Sequence, residues 1–157
     1  MSEKNQNIER VVQLFREIDR EEVVPFNKSL GLRLESLDEN NICIKFDSKE
    51  ELIGNIVAKI LHGGVIAAAL DTAGGFIAAI ENVRKTDGLK DEQTIKKMMM
   101  TGTIDLRIDY LRPGQGKYFL ATGSVMRMGN KIAVTRMKLH NDKGLLIAVG
   151  TGTYMLG

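Results

Sequence analysis

Residues 65–80 form an apolar run in which Asp71 is the only ionisable side chain. The run predicts a helix over 62–82. A helix apolar nearly all round must be covered on nearly all sides. Whatever else the chain builds therefore has to wrap this segment. Residues 61–80 are also long enough to span a bilayer. Asp71 near the middle opposes that, since a central Asp alone costs about 2.5–3.5 kcal/mol. A buried central helix, without membrane insertion, is the expected outcome. Gly64, Ala68, Thr72, Gly75 and Ala79 line one side of it, and Ile66, Leu70, Ala73, Ile77 and Ile80 another. The small stripe allows another backbone to approach closely.

The flanking segments supply the wrapping. Residues 7–22 place Ile8, Val11, Val12, Phe15 and Ile18 on one helical face, which predicts an amphipathic N-terminal helix ended by Pro25. Two strands follow, 30–37 and 42–46, around a turn at Asp38-Glu39-Asn40-Asn41. Residues 84–99 are polar, rich in lysine and contain Asp87-Gly88, which predicts a mobile surface loop with room for one helical turn. Within 103–111, Ile104, Leu106, Ile108 and Tyr110 alternate with Thr103, Asp105, Arg107 and Asp109. Strands at 117–128, 131–140 and 145–155 complete a meander, with Gly129-Asn130 as a hairpin signal. Two strands, one buried helix and four more strands make an α+β domain, a long antiparallel sheet curved around one central helix. A single domain over residues 1–157 is expected, with 1–26 as a helical extension.

Composition removes several functions. With 22 basic against 20 acidic residues, dispersed along the chain, no electrostatic footprint for nucleic acid is visible. The single cysteine, Cys43, and two distant histidines, His62 and His140, argue against a disulfide framework and against a metal site. The polar opening MSEKNQNIER has no apolar stretch of the secretory kind, so a cytoplasmic location is expected.

Chemistry concentrates at the central helix. An isolated carboxylate among apolar neighbours costs several kcal/mol unless it finds partners, so a segment meant only to pack would carry Ala or Leu at 71. The Gly63-Gly64 pair places bare backbone N–H groups at the helix start, where developing negative charge is stabilised. A carboxylate and an oxyanion-type helix terminus in one stretch read as acyl-transfer chemistry.

The strings LHGGVIAAALDTAGG, TIDLRIDYLRPG, RMGN and GLLIAVGTGTY resemble the hotdog-fold acyl-CoA thioesterases. Within them the chain is similar to the phenylacetate-pathway and bacterial medium- and long-chain branch. The likeness spans roughly residues 30–156, with the N-terminal helix as an addition. It implies the hotdog fold, an acyl-CoA substrate and no bound cofactor or metal. It also implies that Asp71 is general base or nucleophile and that the Gly63 N–H holds the thioester oxygen, with Gly64 beside it. Thr103 would position the hydrolytic water and His62 would line the site. Asn55 would assist the carbonyl or orient the histidine, although it stands one residue further from His62 than in better-known members.

Gly63 and Asp71 are eight residues apart, about 12 Å along a helix axis. A base and an oxyanion donor must both lie about 3 Å from one reacting centre. A second, antiparallel copy of the helix would bring Asp71 of one chain opposite Gly63 of the other, which predicts a homodimer with two composite sites, or a tetramer of two such dimers. Arg112, Lys117, Arg127 and Lys131 at strand ends are candidates for the phosphates of coenzyme A. The alternative from another class is a non-catalytic acyl-CoA-binding module or sensor, which would not need the carboxylate. Met98-Met99-Met100 reads either as core filling or as a flexible acyl tunnel.

Overall fold

A computed structural model describes residues 3–20, 23–38, 40–86 and 90–157, with backbone alone for 3–8. Helix α1 (Glu3–Arg20) leads to a short helix α2 (Pro25–Leu30). Strands β1 (Arg33–Leu37) and β2 (Asn41–Asp47) form a hairpin, and β3 (Ile53–Asn55) and β4 (Ile60–Leu61) a smaller one. The central helix α3 (Gly63–Arg84) and helix α4 (Asp91–Met99) precede strands β5 (Gly102–Tyr110), β6 (Tyr118–Met128), β7 (Ile132–Asn141) and β8 (Leu146–Met155). Six strands join in the antiparallel order β1-β2-β6-β7-β8-β5, and β3-β4 stands apart. The sheet wraps α3, which packs against β2, β6, β7, β8 and β5. This is the hotdog arrangement.

Alternation along the long strands makes that wrap possible. Ala133, Thr135, Met137 and Leu139 of β7 stand opposite Tyr154, Gly152, Gly150 and Ala148 of β8, and this row faces α3. From the helix come Leu70, Ala73, Ile77 and Ile80, all fully buried. Each large aliphatic side chain removed from water contributes roughly 1.5–3 kcal/mol. Where helix and sheet approach most closely there is no room for side chains. A Cβ on Gly123 would stand 2.7 Å from the Ala73 carbonyl oxygen. The apolar character of α3, which has the length and hydropathy of a membrane span, is thus accounted for by packing.

Three local expectations are corrected. Pro25 does not end α1; it opens α2, where its missing N–H costs nothing and its fixed φ suits a first helical turn. Residues 21–22, the expected end of the first helix, lie outside the described residues. Leu30 belongs to α2 rather than to a strand, because Gly31 caps that helix at φ 71°, and β1 starts only at Arg33. Within 84–99, expected as a mobile loop, residues Asp91–Met99 are helical, with Thr94 and Met98 buried; Asp87-Gly88 falls outside the described residues. An Arg10–Asp91 pair at 2.6 Å ties α4 to α1, and both helices lie against α3.

Candidate active site

Asp71 sits in the middle of α3, half-buried. It meets two hydroxyl groups, both on the same oxygen. Thr103 Oγ1 donates to Asp71 Oδ1 at 2.9 Å, and Tyr154 Oη donates to that Oδ1 at 3.1 Å. The isolated carboxylate of the sequence reading is therefore partnered. Among the described hydrogen bonds none is made to Oδ2.

Thr103 reaches Asp71 only because β5 is irregular. Strict alternation would put Thr103 on the face opposite Leu106 and Ile108. In the ladder with β8, Thr103 pairs with Tyr154 and Asp105 with Thr153, leaving Ile104 as an extra residue. Such a bulge reverses the side-chain parity on one side of it. Thr103 consequently shares the helix-facing side with Leu106, Ile108 and Tyr110, while Ile104 is exposed.

Tyr154 was not singled out by the sequence reading. Its ring is buried in a slot of glycines. A Cβ on Gly152 would come within 2.6 Å of it and one on Gly74 within 2.5 Å of its hydroxyl. The signal available in sequence was the alternation Gly150, Gly152, Tyr154, which clears the helix-facing side of β8 up to one large side chain. Burial, and then the adjoining Asp71 charge, push the Tyr154 phenol far above its ordinary range. It stays a protonated donor.

His62 is the N-cap of α3, its Nδ1 accepting from the Gly64 N–H at 2.9 Å. Its carbonyl takes the Val65 N–H. Among the described hydrogen bonds, the Gly63 N–H is the first-turn donor left without a partner. Tyr110 at the far end of β5 donates its hydroxyl to the Gly63 carbonyl at 2.9 Å, fixing the helix start. Asn55 does not join this group. Its Oδ1 accepts from the Ala58 N–H at 3.0 Å, closing its own turn.

The four basic candidates separate into two pairs. Arg112, bonded to the Leu146 carbonyl, and Lys117, whose N–H meets Asp142, lie at the end of the sheet where β8 begins. Arg127 and Lys131 flank the β6–β7 turn at the other end, around a shallow depression with Asn130 and Ile132. Among the described residues no three His, Cys, Asp or Glu side chains converge as a metal-binding group.

Asp71, Thr103 and Tyr154 open onto a cavity of about 360 Å³. Along α3 it is bordered by Ala68, Thr72, Gly75 and Ala79, four members of the small stripe. In this chain that stripe faces open volume. The opposite wall comes from Phe15 of α1, Phe26 and Asn27 of α2, and Met98 and Met99 of α4. The methionine run thus supplies one buried and one exposed wall residue, and the N-terminal helices are part of the pocket.

A family model described as the thioesterase superfamily matches residues 58–148. The chain belongs to the thioesterase superfamily. Among its relatives, the medium/long-chain acyl-CoA thioesterase YigI of Escherichia coli is 43% identical over 134 residues, covering 85% of this chain and 86% of that protein. The Salmonella typhimurium protein of the same name is 44% identical over the same share of each chain. A crystal structure of a Shewanella oneidensis protein related to the thioesterase superfamily superposes with a TM-score of 0.84 at 44% identity, covering 98% of this chain and 97% of that one. Tyr154 and the α1–α2 wall both lie outside the stretch the family model matches.

Proposed function

We propose that the protein hydrolyses medium- or long-chain acyl-CoA thioesters to coenzyme A and a carboxylic acid, without a metal or bound cofactor. The observation that carries this reading is a carboxylate, held by two hydroxyls, on the wall of an otherwise largely apolar cavity. The relatives named as acyl-CoA thioesterases support the substrate class. Oδ2 of Asp71 takes a proton from water as the water oxygen attacks the thioester carbonyl carbon. The carbonyl oxygen becomes an oxyanion, for which a preorganised N–H donor is worth about 2.7–4 kcal/mol. On collapse the C–S bond breaks, and the departing thiolate takes up the proton. Direct attack by Asp71, through an anhydride that water then opens, uses the same residue.

The donor is proposed to be the Gly63 N–H of a second copy. Strand β5 is an edge of the sheet. It touches the Asp71 region through Thr103 and the Gly63 region through Tyr110. Two copies pairing antiparallel along this edge would set Thr103 of one beside Tyr110 of the other, and with them Asp71 beside Gly63. The same operation would bring Arg127 and Lys131 of one chain to the end that carries Arg112 and Lys117 of the other, for the phosphates of the substrate.

Free-thiol release from a panel of acyl-CoA esters, for wild type and Asp71→Asn, tests the chemistry. Loss of turnover with acyl-CoA binding retained supports it, and equal rates remove Asp71 from the mechanism. Tight binding without turnover by wild type would identify a sensor instead. Mixing Asp71→Asn with Gly63→Pro subunits tests the shared site, since proline keeps a first helical position but lacks the N–H. Exchanged heterodimers regain activity if sites are composite, and stay inactive if each chain is self-sufficient.

A further inference from the structure

We infer that α1 and α2 cover an acyl-length gauge, in which the substrate's unbranched chain runs along α3 from Asp71 and ends against Phe15, Ala79 and Met98. This assignment rests on the thioesterase reading and adds where the acyl chain lies and what sets its length. The cavity has a polar end and an apolar end. Asp71, Thr103 and the Tyr154 hydroxyl mark the first. Phe15, Met98 and Ala79 mark the second, each less than 5% exposed.

Between them α3 contributes Thr72 and Gly75, so eight residues separate the reacting carboxylate from the floor. That is about 12 Å of helix, the reach of a medium-length alkyl chain and far beyond that of an acetyl group. Phe15 is held edge-on to Phe76 at 4.9 Å, which makes this part of the floor rigid. Phe26 and Met99 line the same cavity and are exposed, so its solvent-facing wall is apolar as well. The volume falls at the lower end of the range for small-molecule sites. Of the floor residues, Phe15 precedes the family-matched residues 58–148 whereas Ala79 and Met98 lie within them, so the length limit is set jointly by the N-terminal helices and the common scaffold.

The test measures binding of a series of non-hydrolysable S-alkyl-CoA thioethers by calorimetry, alongside kcat/KM for the matching acyl-CoA esters. In wild type, affinity should climb about fourfold per buried methylene and then level off once the floor is reached. Ala79→Leu, which raises the floor, should level off at a shorter chain and lose the last fourfold steps. Phe15→Ala should continue climbing past the wild-type limit. If Ala79→Leu does not fold, Met98→Ala lowers the same floor from α4 and should shift the limit upward. An unchanged limit in all variants, or a loss equal at every length, overturns the assignment. Shifted limits in thioether binding without any hydrolysis would leave the gauge standing and remove the hydrolase reading; hydrolysis with unshifted limits would do the reverse.

Discussion

The two sides of α3 use small residues for opposite ends. On the sheet side, Ala73 and Gly74 let strands come so close that a Cβ on Gly123 or Gly74 would collide with a backbone oxygen or with Tyr154, Met137 and Thr135. On the other side Ala68, Gly75 and Ala79 are small beside a cavity that α1, α2 and α4 roof without filling. Tight packing makes the first side the seat of stability, and the unfilled volume makes the second the proposed seat of binding. The lesson is that a stripe of small residues says only that something comes near, and whether that is a backbone or a ligand is decided by the elements opposite.

Substitutions on the two sides should separate activity from stability. The largest effect is expected at Asp71→Asn, which should lower the rate of thiol release at least about a hundredfold while moving the unfolding midpoint little. Thermal melting beside the rate assay checks both halves. On the sheet side, Gly123→Ala should cost about 1–3 kcal/mol of unfolding free energy by overpacking, read by urea titration. Ala79→Leu, which grows into the cavity, should cost less than that.

Tyr154 bridges the two sides, rooted in the sheet and touching Asp71. Tyr154→Phe should reduce kcat about three- to tenfold, the worth of one hydrogen bond, with KM nearly unchanged. The same variant has a second readout in alkali. Because the folded phenol is raised far above the ordinary value near 10, its contribution to stability is fully present below pH 10 and lost as pH rises beyond it. Wild type should lose up to about 1.4 kcal/mol per pH unit there through this residue, and Tyr154→Phe should show a shallower decline.

The smallest effect is expected far from both sides. Asp38 is held below the usual carboxylate range by the N–H groups of Asn40 and Asn41. Its contribution is present at neutral pH and lost as pH falls through the acid range. Asp38→Ala should therefore cost less than about 1 kcal/mol at pH 7, a difference that disappears in acid.

Much of this was legible in the sequence, for identifiable reasons. The lone charge in residues 65–80 located both the buried helix and the candidate base, because a buried carboxylate is rare enough to need a purpose. His62 and the glycines read correctly as a helix start, since that signal is local. Thr103 could be assigned only through family resemblance. Its own alternation pattern points it away from Asp71, and the bulge at Ile104 that turns it back is set by pairing with β8. Pro25 and α4 were misread because proline punctuates helices at either end and because lysine-rich segments look alike as loops and as surface helices. The buried face of α4, Thr94 and Met98, acquires meaning only against α1 and α3. Tyr154 and the wall residues Phe26 and Asn27 went unread for the same reason, since they join residues from opposite ends of the chain, whereas the methionine run of the wall was legible as one of two readings.

Strand β5 grips α3 at two points, by Tyr110 at the helix start and by Thr103 halfway along. The spacing between amide terminus and acid is thereby held by a hydrogen-bonded ribbon as well as by the helix itself. That ribbon lies at the rim of the sheet, so whatever mates with the rim pulls on both fixtures together. On the proposed pairing, assembly state and reactivity would be mechanically one variable.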